Sequence, residues 1–487
     1  MKKSALPKEI SSVLETLQKG GFEAFAVGGG VRDMLRGEKP KDWDVATNAK
    51  PEEIRGLFPK TFYENKFFTV TVQTDSPDET LKEIEVTTYR SEGRYDDRRH
   101  PSEVVPAKTI EEDLSRRDFT VNALALRDGE ILDPFGGQDD LKKKIIRAVG
   151  DANERFSEDA LRMIRAVRFA SALGFEIEAQ TKEAILAHAA SMKMISKERI
   201  RDEFMKIISS KNAMTGMEML RELKLLPYVI PELEKGYGVG QNKHHVYTVW
   251  EHNLRALDYA AKHDYHPMVR LAALLHDVAK PHTKRGEGPN STFYGHDVVG
   301  AKVTIEEMER LKFSREEIEK VSKLVRWHLF NYDLEAGTTD AAVRRLIKNV
   351  GEDNIEDLVR VRICDRIGSG VPKAVPYRLR HFQFRVEKIL REGEAVKVTM
   401  LKIDGKDIMN ILGIPPGPKV GHILNALLEE VLDDPKKNER EYLEKQAKEL
   451  SKLSEKELVE LRKKAEEKVE LVEGAREDEL KKKYYVQ

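Results

Sequence analysis

Residues 25–47, FAVGGGVRDMLRGEKPKDWDVAT, constrain the fold more than any other part of this chain. Phe25-Ala26-Val27 reads as a short buried strand that runs into Gly28, Gly29 and Gly30, with a helix expected to open at Val31-Arg32-Asp33. A glycine turn lets backbone amides approach a phosphate with no Cβ in the way, and a helix start adds partial positive charge. Arg32 adds a full charge at the same place. Gly37 and Pro40 then end the helix, and a second strand is expected to carry Asp42-Trp43-Asp44. Side chains alternate along a strand, so Asp42 and Asp44 share one face and Trp43 takes the other. Two carboxylates beside a triphosphate cradle are what a two-metal phosphoryl-transfer site requires, with Mg²⁺ ions roughly 3.5–4 Å apart.

The remaining chain sets limits on this reading. Its 487 residues allow about three or four domains with their own cores. The net charge is −1 although 35% of residues are charged, so nucleic-acid binding needs a local basic surface. A single cysteine, Cys364, excludes a disulfide framework and a Cys-rich zinc site. The N-terminus MKKSALPKEI lacks an apolar core segment, and no run approaches the roughly 18 apolar residues of a membrane span. The sequence thus predicts a soluble, cytoplasmic protein without a membrane partner.

In the first 150 residues, an amphipathic helix is expected over 7–20, a short helix over 51–58, and strands over 67–73 and 84–89. Glu85 in the last of these is the candidate third carboxylate. Residues 90–104, RSEGRYDDRRHPSEV, mix both charges without periodicity and read as a mobile loop. The segment 111–126, EEDLSRRDFTVNALAL, gathers Asp113, Arg116, Arg117 and Asp118 before an apolar run. Further on, 156–175 reads as one helix with Ser157 as N-cap and Gly174 at its end. Asp159 and Arg162 then share a face at i,i+3 spacing, with Arg165 and Arg168 following. Beyond it, a loop holds Asn242 to His245, His252 stands on a helix, and 268–280 forms an apolar helix ending in His276-Asp277. His296, His328 and Asp365 complete a series of ligands suited to one or two divalent ions.

These segments together resemble the polymerase-β-like nucleotidyltransferases. More narrowly, they resemble the class II tRNA nucleotidyltransferases and bacterial poly(A) polymerases: the GGG–DxD unit, RRDFTxNA at 116–123, and EDxxR at 158–162. The His-Asp series is similar to that of HD phosphohydrolases. The resemblance implies an α+β fold, with a small mixed sheet in a nucleotidyltransferase head over 1–150. A helical neck over 151–215, an HD-type body over 216–385 and a helical tail over 386–487 would follow. It implies catalysis by Asp42, Asp44 and Glu85 with Mg²⁺, and nucleotide binding by Gly29, Arg32, Arg117, Asp118, Asn122, Asp159, Arg162, Arg165 and Arg168. Asp118 and Asn122 would lie near the sugar, and Asp159 with Arg162 would read the base. CTP and ATP both present an amino donor beside a ring-nitrogen acceptor, whereas UTP and GTP present the reverse. The second site would hold Ni²⁺, Mn²⁺ or Mg²⁺ on His252, His276, Asp277 and Asp365, with His296 and His328 for a second ion, and would hydrolyse 2′,3′-cyclic or other phosphoesters. The implied partners are the tRNA 3′ end, CTP and ATP. Poly(A) polymerase and A-only addition are the alternatives within the class. An HD phosphohydrolase with an RNA-binding head is the alternative outside it. The motif 197–203, KERIRDE, is expected to be structural, and the Lys- and Glu-rich tail after Asp434 to be one or two solvated helices.

Overall fold

The computed structural model describes residues 6–64, 68–92, 104–242, 246–333, 338–392 and 401–486. It divides into two compact units, residues 1–329 with 360–372, and residues 330–359 with 373–487.

The first unit opens with the helix Lys8–Lys19, whose Ile10, Val13, Leu14 and Leu17 are buried as their spacing requires. Among the described residues eleven strands follow: β1 Ala24–Val27, β2 Asp44–Thr47, β3 Thr61–Glu64, β4 Thr69–Gln73, β5 Glu83–Thr88, β6 Arg90–Glu92, β7 Val104–Pro106, β8 Ala125–Arg127, β9 Glu130–Leu132, and the short parallel pair β10 Ile145–Ile146 and β11 Glu176–Ile177. Seven of them form a mixed sheet in the order β3-β4-β5-β2-β1-β8-β9. Its parallel pair is β2 with β5, in a register that sets Asp44 beside Glu85. The first helix and the helix Pro51–Leu57 cover one face, where Val31, Trp43, Val45, Ile54, Val70, Ile84 and Val86 make the core. The charged segment 90–104 begins and ends as β6 and β7, which pair antiparallel; its centre, 93–103, lies outside the described residues.

After the sheet the unit is helical. The helix Leu161–Leu173 is largely buried and ends on Gly174 in the left-handed conformation, φ +69°. The helices Lys197–Ile208 and Ala213–Glu222 pack against it. The helices Val249–Lys262, Pro267–Leu275, His296–Arg310 and Arg315–Trp327 follow, and Thr248 caps the first of them with a reciprocal bond to Glu251. The apolar helix expected over 268–280 stops at Leu275, and His276-Asp277 sit just beyond its end. Residues 243–245 of the preceding loop lie outside the described residues.

The second unit has its own core. Ile403, Ile408, Ile423, Leu427, Leu443, Ala447 and Leu458 are buried together. The tail is therefore no solvated appendage: Leu443 and Leu458, read from the sequence as helical-face leucines, are at 0% exposure. The high Lys and Glu content masked a narrow apolar stripe that is enough to dock the helices Arg440–Leu450 and Glu455–Tyr484. No described helix is long and apolar enough to cross a membrane.

Candidate active site

The sequence expected a glycine loop before the helix. Instead Gly28, Gly29 and Gly30 are the first turn of the helix Gly28–Leu35, whose end carries no side-chain cap. Two of the three glycines have a steric reason. Gly28 has φ +73°, and a Cβ there would come 2.9 Å from Arg117 Nη1 and 3.2 Å from Asp44 Oδ2. A Cβ on Gly30 would meet the Trp43 ring at 2.9 Å. Strand β2 starts at Asp44, so Asp42 and Trp43 precede it, against expectation. The reason is register: Asp44 pairs with Val27, the last residue of β1, and the chain of β1 then turns into the helix, leaving Asp42 no partner. Alternation nevertheless holds, with Trp43 3% exposed in the core and both aspartates facing a cavity of about 550 Å³.

That cavity is lined by all twelve residues named from the sequence for the polymerase site: Gly29, Arg32, Asp42, Asp44, Glu85, Arg117, Asp118, Asn122, Asp159, Arg162, Arg165 and Arg168. A buried relay fixes much of it. Arg32 Nη1 donates to Asn122 Oδ1 at 2.7 Å, and Asn122 Nδ2 donates to Asp118 Oδ1 at 3.0 Å. Asp118 Oδ2 accepts from Arg165 Nε at 2.8 Å and Nη2 at 2.6 Å. Burial alone would raise the Asp118 carboxyl, but the charge of Arg165 and these hydrogen bonds outweigh it and hold it at about 2. Asp113, 1% exposed, accepts from Arg116 and Arg117 and so aims Arg117 at the cavity. Burial lifts the Asp44 carboxyl to about 6; Asp42 and Glu85 add to the rise and Arg117 opposes it.

The helix expected over 156–175 is broken. One helix, Ala152–Glu158, starts on the Asp151 cap, and the next starts at Leu161. Ser157 lies inside the first and caps nothing. Asp159 makes the break: its backbone is extended and its Oδ1 accepts from Leu161 N at 3.0 Å, a side-chain bond that competes with helix continuation. Asp159 and Arg162 therefore do not pair across one helix face. Arg162 engages Glu158 and the carbonyl of Arg116, 3.0 Å away. Asp159 pairs with Arg199. Arg199 and Glu203 belong to the motif expected to be structural. Arg199 lines the cavity, and Glu203, 4% exposed, pairs with Arg168 at 2.8 Å. In the sequence they stand in the motif 197–203, which resembles a neck motif of the family, and nothing in its charged run marks either side chain as belonging to the cavity.

A second constellation lies among the helices that follow. His252, His276, Asp277 and Asp365 bring ligand atoms within 4.8 Å of one another, as do Asp277, His296 and His328. Among the described residues these are the groups of three or more so gathered; the three carboxylates of the head share their cavity without meeting that spacing. His276, His296 and His328 each direct Nδ1 at a backbone carbonyl three residues back, at 2.6–2.7 Å. A carbonyl only accepts, so Nδ1 carries the proton and Nε2 is the free electron pair in the neutral ring. His296 Nε2 and His328 Nε2 point at Asp277 Oδ1, 3.1 and 3.6 Å away, without a hydrogen bond. Burial opposes charge on His276, yet Asp277 and Asp365 outweigh it and raise the imidazole to about 10. A cluster that attracts a proton so strongly fits a divalent cation in its place. The adjoining cavity of about 450 Å³ is lined by Lys280, Arg362 and Arg366.

Residues 24–147 match the family described as poly A polymerase head domain, residues 174–236 the probable RNA and SrmB-binding site of polymerase A, and residues 249–368 the HD domain. The A-adding tRNA nucleotidyltransferase of Deinococcus radiodurans is 34% identical over 419 residues, 83% of this chain and 91% of that one. The CCA-adding enzyme of Geobacillus kaustophilus is 31% identical over 436 residues, 89% and 95% of the two chains. Among solved structures, the Bacillus stearothermophilus CCA-adding enzyme in complex with CTP matches with a TM-score of 0.59 at 28% identity, over 92% of this chain and 98% of that one.

Proposed function

The chain belongs to the class II tRNA nucleotidyltransferases that carry a poly(A)-polymerase-type head and an HD domain, and from that premise we propose how its head cavity builds the 3′ CCA end of tRNA from CTP and ATP without a nucleic-acid template. The observation that carries the proposal is the convergence of carboxylates, arginines and a bare helix start on one cavity. Divalent metal ions belong to this chemistry, and Asp42 and Asp44 are the side chains to hold them, with Glu85 beside Asp44; we take the ion to be Mg²⁺. When bound, such ions activate the attacking RNA 3′-hydroxyl and steady the leaving pyrophosphate. Arg32, Arg117 and the Gly29 amide face the triphosphate. Asp118 and Asn122, locked by Arg165 and Arg32, face the ribose. Asp159 accepts from the base amino group and Arg162 donates to the ring nitrogen, which admits C and A and leaves U and G with unmatched groups.

Three RNAs test this: tRNA lacking CCA, tRNA ending in CC, and unstructured RNA, each with labelled CTP or ATP. Completion of CCA on the first and addition of one A to the second are expected. Addition of A to tRNA ending in CC with no incorporation of CTP into tRNA lacking CCA would make this an A-adding enzyme, as its Deinococcus relative is named. Long tracts on unstructured RNA would make it a poly(A) polymerase. The converging Nε2 atoms also favour a second activity at the His252–Asp365 cluster. With Ni²⁺, Mn²⁺ or Mg²⁺ it would open 2′,3′-cyclic phosphodiesters; no turnover with any of the three leaves the cluster structural.

A further inference from the structure

Arg199 joins Asp159 through both carboxylate oxygens: Nη2 reaches Oδ2 at 2.6 Å and Nη1 reaches Oδ1 at 3.3 Å. Asp159 stands at the break after the helix Ala152–Glu158 and Arg199 on the helix Lys197–Ile208, and both line the head cavity. Oδ1 also accepts from Leu161 N at 3.0 Å. A carboxylate has about four acceptor positions, and three of these are now filled, two on Oδ1 and one on Oδ2. The plane of the carboxylate is set by the planar fork of the guanidinium, which a single point charge does not do.

We infer that Arg199 is a positioning residue for nucleotide selection: it orients Asp159 so that the remaining Oδ2 acceptor meets the base amino group. The inference rests on the base-reading role given to Asp159 above. An ionised carboxylate accepts and never donates, so it meets the amino group of C or A and repels the carbonyl oxygen that U or G brings to the same point. Without Arg199 the side chain is tied only at Oδ1 to Leu161 N and turns freely about that bond. A rotated carboxylate no longer separates an amino group from a carbonyl with the same geometry, and the selection weakens although Asp159 is still present.

The experiment compares kcat/KM for CTP against UTP on tRNA lacking CCA, and for ATP against GTP on tRNA ending in CC. The full-length wild type is compared with Arg199→Met, Arg199→Lys, Asp159→Ala and the Asp159→Ala/Arg199→Met double variant. Each ratio is taken on one preparation, so a misfolded fraction cancels. Loss of one well-aligned charged contact corresponds to about a tenfold fall in the ratio for Arg199→Met. Arg199→Lys keeps the charge without the fork and should fall between wild type and Arg199→Met. The double variant should be no less selective than Asp159→Ala, because Arg199 acts through Asp159. If Asp159→Ala collapses the ratio and Arg199→Met leaves it unchanged, the role of Arg199 is overturned while the base-reading role of Asp159 stands. Additive losses in the double variant also overturn it. If Asp159→Ala itself leaves the ratio unchanged, the underlying reading of the base site fails, which is a different result.

Discussion

Replacing Asp118 with Asn keeps the shape of the side chain and removes its charge from the relay that joins Arg32, Asn122 and Arg165. Asp118 is 9% exposed and accepts from Phe119 N, Asn122 and twice from Arg165. Its carboxyl is held at about 2 in the folded chain, against about 3.9 when unfolded, a difference worth roughly 2.6 kcal/mol. Arg165 is 31% exposed, so solvent screens part of this, and 1–2 kcal/mol is the working range, as an order of magnitude. The carboxyl is depressed, so its stabilisation is complete above the unfolded value and is lost as pH falls towards 2. For a unit of this size 1–2 kcal/mol lowers the melting temperature by about 1–3 °C. Thermal melts of wild type and Asp118→Asn at pH 7, 5 and 3.5 check it. The gap should be equal at the two higher values and narrow at the lowest. Coincident melts at pH 7, or a gap that widens on acidification, would refute the argument.

Three further outcomes follow from the same geometry. Asp44 has a raised carboxyl, at about 6, so the folded metal-free chain loses stability as pH rises from the ordinary carboxylate range through 6; in chelator at pH 7.5, Asp44→Asn should melt above wild type, while with Mg²⁺ present its nucleotide addition should be lost, and a lower melt would contradict the burial argument. Gly30→Ala places a Cβ 2.9 Å from the Trp43 ring and 3.1 Å from the Asp42 carbonyl; overpacking of this kind costs about 1–3 kcal/mol, and both the melting temperature and the rate of addition should drop, whereas an unaltered rate would mean Asp42 is not held by this contact. Elemental analysis of protein dialysed against Ni²⁺ or Mn²⁺ should find metal that His276→Ala loses, and equal metal in both would remove His276 from the cluster.

Much of the polymerase site could be read from the sequence because its residues sit in short motifs where local rules act. Alternation fixed the faces of Asp42, Trp43 and Asp44 even though the strand begins two residues late. The parallel pairing of β2 with β5, which sets Glu85 beside Asp44, is long-range and left no mark beyond a plausible strand. The break at Asp159 escaped because Ser157, Glu158 and Gly174 punctuate one longer helix convincingly. What decides it is a side-chain bond to Leu161 N and a partner forty residues on, Arg199. Glu203 was hidden for a related reason. A glutamate amid lysines and arginines reads as surface, and its burial against Arg168 depends on which helix packs there. The tail was misjudged because composition averages over faces, while Leu443 and Leu458 needed just one apolar stripe to be buried.

The most direct measurement is the single-turnover rate at which ATP is joined to a tRNA ending in CC by a variant carrying both Asp42→Ala and Asp44→Ala. Loss of the metal-holding pair should slow the reaction by about 1,000-fold or more while the protein still binds tRNA. Extension at the wild-type rate would contradict the assignment of the chemistry to this cavity.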